Sequence, residues 1–265
     1  MPNEDTRMEL DAANLWADAV GAEHGLSRQA VDEYGDTLAD YTAAIERRRG
    51  DDIGFMNLPY ERELADDIQQ HAENLRSWGD NFVGLGIGGS ALGNITVHRA
   101  LNHPQHNLLP SDHEARGGAP RIFVLDNVDP HRVRGLMDVL SGELDRTAFN
   151  VITKSGSTAE TMSQFLHVRD LLRRTDGCDP ARQMTLTTDA DPEESLLRRI
   201  ARQEGYTAFP IPDNVGGRFS VLSAVGLLSA AVGGVDIHAL HEGARAMDEA
   251  CTPQNVQDNP AALYA

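Results

Sequence analysis

The stretch that most constrains this chain runs from Asn81 to Ala100, NFVGLGIGGSALGNITVHRA. A short apolar run (Phe82, Val83, Leu85, Ile87) crosses a cluster of four glycines (Gly84, Gly86, Gly88, Gly89) and passes through Ser90 into a helix-compatible segment. A strand that turns through glycines into a helix aims several backbone N–H groups at one point beyond the sheet edge, with the positive end of the helix dipole behind them. The pattern predicts an anion site. Glycine suits such a turn because the turn needs positive φ or a close approach of ligand to backbone, and a Cβ obstructs both.

Other readings of the same residues have to be weighed. Gly84 to Gly89 formally satisfies the dinucleotide pattern G-x-G-x-x-G. The ribose-binding acid of that motif is due about 20 residues further on, at the end of a second strand. Asp112 lies near that distance but in a polar loop, and Asp126, which does end a strand-like run, comes too late. A purely structural glycine turn stays open. A Walker A loop is excluded, because no Gly-Lys-Ser/Thr follows.

The 265 residues suffice for one large domain or two modest ones. No run of about 18 apolar residues occurs, so no membrane span is expected. The first residues, MPNEDTRMEL, are acidic and polar and predict neither a secretory nor a transit peptide. Two cysteines, Cys178 and Cys251, give no disulfide framework, and a reducing cytoplasm is the default expectation. Charge is more informative. Lys+Arg 23 against Asp+Glu 41 gives a net charge of −18, with 25 Asp, 16 Glu, 22 Arg and a single Lys. Such a surface repels nucleic acid and anionic membranes, so neither partner is expected. Asp-rich, Lys-poor composition resembles that of halophilic proteins, since in molar salt the Debye length falls to about 3 Å and self-repulsion is screened. Equal solubility and stability in dilute buffer would contradict that expectation.

Against this background the one lysine carries meaning. Lys154 sits in Val151-Ile-Thr-Lys-Ser-Gly-Ser-Thr158, which again follows a strand-like run and opens a helix. A solvated surface lysine is the ordinary reading. In a chain that otherwise uses arginine, a compact ammonium among the hydroxyls of Thr153, Ser155, Ser157 and Thr158 points to a ligand. Ser157-Thr-Ala-Glu160 also has capping-box spacing, in which Glu160 bonds back to the cap residue's N–H; a carboxylate there can equally hold a substrate hydroxyl or orient Lys154. A third signal is Asp213-Asn-Val-Gly-Gly-Arg-Phe-Ser-Val-Leu222. Two glycines before Arg218 at a helix start can present a permanently charged guanidinium to a developing oxyanion, or Arg218 can form a surface salt bridge. Spacing alone does not choose.

The remaining pattern organises these loops. Residues up to about 50 read as helices, on Leu10, Leu15, Trp16, Val20 and then Val31, Tyr34, Leu38, Tyr41, Ile45, closed by Arg47-Arg48-Arg49-Gly50. Phe55 to Pro59 is a connector and Glu61 to Trp78 a further helix. Strand-like runs at 81–87, 121–126, 149–153, 183–188 and 206–211 alternate with helical segments near 90–101, 130–140, 158–174 and 192–204, the last opened by Asp191-Pro192 as cap and first residue. The expectation is an α/β fold with a five-stranded parallel sheet flanked by helices, ligands binding beyond the strands' carboxyl ends. His103, His106, Asp112 and His113 in the 102–120 stretch fit no zinc spacing and read as a solvated loop; His238 and His241 read as surface residues, so no metal is expected.

Gly86-Ile-Gly-Gly-Ser-Ala-Leu-Gly93, Ile152-Thr-Lys-Ser-Gly-Ser-Thr-Ala-Glu160 and Asn214-Val-Gly-Gly-Arg-Phe-Ser-Val221 resemble, in order and separation, the signature motifs of the glucose-6-phosphate isomerase family. That family is built from two sugar isomerase (SIS) domains, and the resemblance covers about Phe55 to the end. It implies an N-terminal helical region at 1–78, a first SIS domain at 79–235 and, at 236–265, a helical bridge toward a second SIS domain that is absent. It implies that Gly88, Gly89 and Ser90 hold the sugar and its phosphate, and that Thr153, Lys154, Ser155, Ser157 and Thr158 form the phosphate cradle. Arg218 corresponds to the arginine over the enediolate, and Glu160 to a glutamate near the site. The implied reaction is aldose–ketose isomerisation of glucose 6-phosphate and fructose 6-phosphate, with no cofactor and a homodimer when full length. The family's catalytic glutamate, ring-opening histidine and late lysine lie in the second domain and tail. His238, His241, Glu242 and Glu249 do not stand in those motifs, so a fragment of a longer chain is expected. The alternative is a stand-alone phosphosugar-binding module. A truncated core is also expected to leave the apolar face of Val221 to Val235 poorly covered.

Overall fold

A computed structural model of the protein describes residues 10–253 and 255–265. The reading of the first nine residues as free of a targeting peptide lies outside the described residues. The chain divides into two compact units, one comprising the residues through Ile53 together with Glu242–Ala265, the other Gly54–His241.

The larger unit carries five parallel strands, β1 (Asn81–Leu85), β2 (Arg121–Leu125), β3 (Thr147–Ile152), β4 (Met184–Thr188) and β5 (Thr207–Pro210), in the order β2-β1-β3-β4-β5. All five coincide with the expected runs. The central strands β1 and β3 are buried at every residue and read as largely apolar segments, whereas the edge strands β2 and β5 are only partly buried. One face packs on α4 (Arg62–Trp78) and α10 (Ala224–Val232), through Phe82, Ile122, Ala148 and Phe209 against Ala65, Ile68, Ala72, Leu75 and Leu228. The other face packs Val83, Leu85, Phe149, Val151 and Leu186 against α6 (Pro130–Val139), α7 (Ala159–Arg174) and α9 (Leu196–Glu204), through Leu136, Phe165, Leu172 and Leu197. Two helical layers on one sheet are the α/β/α sandwich expected. A single turn of helix, α8 (Pro180–Gln183), leads into β4, and α11 (Ile237–Ala250) follows α10. The chain passes from β1 through α5 (Gly89–Leu101) to β2 on one side, then returns across β1 to β3 on the other. The sheet's switch point therefore lies between β1 and β3, which pair from Asn81↔Thr147 to Leu85↔Val151.

In the smaller unit α1 (Ala17–Val20), α2 (Arg28–Asp32) and α3 (Gly35–Arg48) are followed, near the end of the chain, by α12 (Pro260–Tyr264). Trp16, Val31 and Val256 form its small core. Residues 10–20 are not the continuous helix that their apolar spacing suggests. The chain leaves the helix at Trp16, which bridges to Leu26, and Gly21 follows α1 with φ 88°. The arginine run does close α3, and Arg49 bonds Asp248 at 2.8 Å.

Several local expectations give way to tertiary structure. Asp191-Pro192 does not start α9: Asp191 accepts from the Glu193 amide at 2.8 Å in a turn, and the helix begins after Ser195. Ser195 is fully buried and its hydroxyl bonds both the Arg198 amide and Thr188 Oγ1, so a cap with a tertiary partner prevails over one without. The 102–120 stretch is solvated at His103, Asp112 and His113, as expected, but not throughout. His106 is buried with Nε2 on the Pro120 carbonyl, and Arg116 is buried on the carbonyls of Leu109 and Ala119. His241 is likewise no surface residue, being buried against the Leu222 carbonyl at 3.1 Å. The apolar face of 221–235, expected to be less covered in a truncated core, is buried at every residue of α10.

Burial lowers the pKa of His71, His98 and His106 below the ordinary 6.5. A depressed histidine contributes stability that is complete above 6.5 and lost as pH falls through that value toward the folded one, because the unfolded chain takes the proton first. Acidifying from about pH 7.5 to 5.5 should lower Tm, and His106→Gln should remove part of that dependence. A Tm flat across that range in the wild type would contradict the assignment.

Candidate active site

Each strand's carboxyl end must dispose of the N–H groups that open the following helix, and the four strand-to-helix turns do so in two ways. At α6 and α9 the side chains of Asp129 and Ser195 accept them. At α5 and α7, which follow the adjacent strands β1 and β3, the caps Gly88 and Thr158 supply no side-chain acceptor. Two helix N-termini thus meet the switch-point crevice with first-turn amides that no side chain caps, and such ends attract anions.

The two turns are built differently. Gly88 has φ 56°, a conformation that a side chain resists. After β3, Thr153 is buried and its Oγ1 lies 2.7 Å from Thr158 Oγ1; Ser155 Oγ lies 3.4 Å from the hydroxyls of both Thr158 and Ser157. Four hydroxyls thereby gather ahead of α7. Glu160 stands in the first turn of α7, exposed. The capping box does not form, because the cap is Thr158 rather than Ser157 and no side chain bonds the cap amide.

The third loop meets both. Gly89 has an ordinary helical backbone, yet an added Cβ would come within 2.5 Å of the Gly217 carbonyl carbon and oxygen. Lys154 Nζ donates to the backbone carbonyls of Asp213 and Val215, the latter at 3.4 Å. The ammonium thus ties the second loop to the third. The Asp213 carboxyl, when protonated, donates a hydrogen bond to Asp189, which with the negative charge of Asp189 and burial pushes its pKa up, while Lys154 opposes this. Arg218 lies in the short 3₁₀ turn Gly217–Phe219, exposed, and among the described residues no carboxylate or carbonyl engages its guanidinium. The surface salt bridge is therefore not its role here.

These motifs sit on a sequence that matches a known family. Residues 64–265 match the family model described as Phosphoglucose isomerase. The chain belongs to that family. It is similar to the glucose-6-phosphate isomerase of Carboxydothermus hydrogenoformans, 43% identical over 97% of this chain and 54% of that protein. It is similar also to that of Rubrobacter xylanophilus, 44% identical over 92% of this chain and 54% of that protein. Among solved structures, a hypothetical protein of Thermus thermophilus superposes with TM-score 0.76 at 34% identity, over 89% of this chain and 53% of that one. The chain spans about half the length of the curated relatives it matches.

Within this phosphoglucose isomerase family chain, Gly88, Gly89 and Ser90 lie at the β1 turn, Thr153, Lys154, Ser155, Ser157, Thr158 and Glu160 at the β3 turn, and Arg218 on the loop that touches Gly89. Sequence reasoning passed over Asp189 and read Gly217 only as one of the glycines that precede Arg218. Asp189 directly follows a strand-like run, a position where a carboxylate is informative. Gly217 lay within the third motif, but nothing local says that its backbone meets Gly89.

Because Gly89 is required for space and not for φ, Gly89→Ala isolates the contact between the first and third loops. The methyl meets backbone, which cannot swing aside. Sugar-phosphate affinity should fall at least about tenfold while Tm drops by only a few degrees. Calorimetric titration and thermal melts check this; an unchanged affinity would show that the loops act separately.

Proposed function

We propose that this chain is the phosphosugar-gripping part of a glucose-6-phosphate isomerase that interconverts glucose 6-phosphate and fructose 6-phosphate. The observation that carries the reading is the pair of helix N-termini at the switch point that no side chain caps, with the backbone of Gly217, next to Arg218, against Gly89 at the start of one of them. The phosphate dianion takes the hydroxyls of Thr153, Ser155, Ser157 and Thr158 and the first-turn amides of α7. Lys154 joins that cradle through its backbone while its side chain holds the third loop. Gly88, Gly89 and Ser90 hold the sugar end.

Isomerisation moves a proton between C1 and C2 through an enediolate, so it needs a base, an acid that opens the ring, and a cation over the enediolate oxygens. Arg218 is that cation. Its guanidinium keeps its charge throughout, so it stabilises the developing anion without neutralising it by proton transfer. Glu160, exposed beside the cradle, orients a substrate hydroxyl. Because the chain spans about half the length of its relatives, the base and the ring-opening acid are assigned to the half it does not cover, with 79–235 acting as a first SIS domain and 236–265 as the bridge to a second. The full-length protein works as a cytoplasmic homodimer without nucleic-acid partners, and its Asp-rich surface is adapted to high salt.

Removing one fixed stabiliser of an oxyanion typically costs about 100-fold or more in turnover. In the full-length protein, Arg218→Ala should lower kcat by about that factor with KM changed less than about threefold. Equal losses in kcat/KM and in phosphosugar binding would make Arg218 a uniform binding residue and overturn its assigned role.

A further inference from the structure

Arg218 is carried by a turn that has little to hold it in place. Gly217, Arg218 and Phe219 are all exposed, and two glycines precede the arginine. The turn's local hydrogen bonds are Phe219 N–H to the Gly216 carbonyl at 2.9 Å and Ser220 Oγ to the Gly217 carbonyl at 2.8 Å. Glycines lose the most freedom on ordering, so such a turn samples many conformations unless other elements restrain it. An unrestrained guanidinium contributes little to a transition state, because its alignment has to be bought at the moment of reaction.

One restraint comes from a segment far away in sequence. The connector preceding α4 is a 3₁₀ stretch, Gly54–Tyr60. The Gly54 amide donates to the Asn214 carbonyl at 3.0 Å, and the Asn214 side chain lies over Gly54, where a Cβ would come within 2.1 Å of it. Beside this, the Phe55 ring stacks on Phe219 with centroids 4.7 Å apart and planes at 18°. Phe219 is 53% exposed, and neither ring belongs to a core cluster of the described residues. An aromatic pair outside the core, on the residue next to Arg218, is not explained by the packing of the sheet.

We propose that Phe55 is a positioning residue for Arg218, acting through the stacked Phe55–Phe219 pair. In a 3₁₀ turn each residue advances about 120° around the axis, so fixing the ring of Phe219 fixes the rotation of the turn and hence the direction in which Arg218 leaves it. Lys154 restrains the start of the loop at Asp213 and Val215, Gly89 supports Gly217 from beneath, and Phe55 sets the far end. This rests on the reading above in which Arg218 works on the substrate.

The test uses the 265-residue chain with two probes that share a phosphate. 6-Phosphogluconate carries a carboxylate where the enediolate charge develops, whereas sorbitol 6-phosphate carries only hydroxyls there. Phe55→Ala should weaken 6-phosphogluconate binding by about tenfold and sorbitol 6-phosphate by less than about twofold, with Tm moved by no more than about 2 °C. Arg218→Ala should show the same split, and Phe55→Tyr, which keeps the stack, should restore wild-type values. Equal weakening of both probes, or of neither, overturns the proposal. A readout independent of ligand is hydrogen exchange at the Phe219 amide, which should quicken at least about tenfold in Phe55→Ala but not in Phe55→Tyr; unchanged exchange also overturns it. If wild-type protein binds neither probe, the phosphosugar reading fails, and the exchange rates still decide whether Phe55 orders the turn.

Discussion

The backbone at Gly89 lies against the backbone at Gly217 at a separation that leaves no room for a Cβ, and the candidate site depends on that contact. It places a loop from beyond β5, at the sheet's edge, over a turn that follows β1 near its middle. The neighbouring pairing of β1 with β3 adds the hydroxyl-rich turn, and Lys154 then ties that turn to the same distant loop. Three segments widely separated in sequence are thereby joined by two kinds of contact, one steric and one charge-assisted. Neither depends on the bulk of the core. The core supplies the rigid frame, a sheet whose inward side chains such as Phe149, Leu186 and Val83 are fully buried between helical layers.

Charge is distributed in a way that fits this frame. The chain carries a net charge of −18, and many of its arginines are paired with acids at the surface, among them Arg48 with Asp52, Arg146 with Asp80 and Arg174 with Asp170. Exposed pairs of this kind contribute little stability each, but they restrain the side chains involved. Arg218 departs from that pattern. A cation left unengaged on the loop that touches Gly89 favours an anion over a cation at that end of an otherwise acidic molecule. Asp213 and Asp189 lie next to Lys154 in this part of the molecule, and their mutual contact raises the Asp213 pKa above its ordinary value.

Much of this was legible in the sequence, for physical reasons that differ between elements. The central strands β1 and β3, buried throughout, could be read as largely apolar runs. Strand β4, with threonines beside Met184 and Leu186, and the partly buried edge strands β2 and β5 were legible from short apolar runs between helical segments. The glycine and hydroxyl turns could be read because few residue types tolerate positive φ or supply compact donors. What escaped was set by partners distant in the chain. Asp191-Pro192 satisfies every local criterion for a helix start, yet buried Ser195, bonded to Thr188, takes the cap. His106 and His241 look like surface residues in a polar context, and their burial is visible only once the carbonyls of Pro120 and Leu222 are placed beside them. The stacking of Phe55 on Phe219 spans a separation at which no periodicity speaks. Glu160 kept its place but not its capping bond, since the helix begins one residue later than the box requires.

The central claim is that the turns after β1 and β3, with the loop that touches both, grip a single dianion. The most direct measurement is a titration of the 265-residue chain with fructose 6-phosphate, followed by amide chemical shifts. The account predicts that the amides of Gly88 to Ala91, Ser155 to Thr161 and Gly217 move together and saturate along one curve at one equivalent of ligand. Shifts confined to one turn, or separate curves for the two turns, would contradict it.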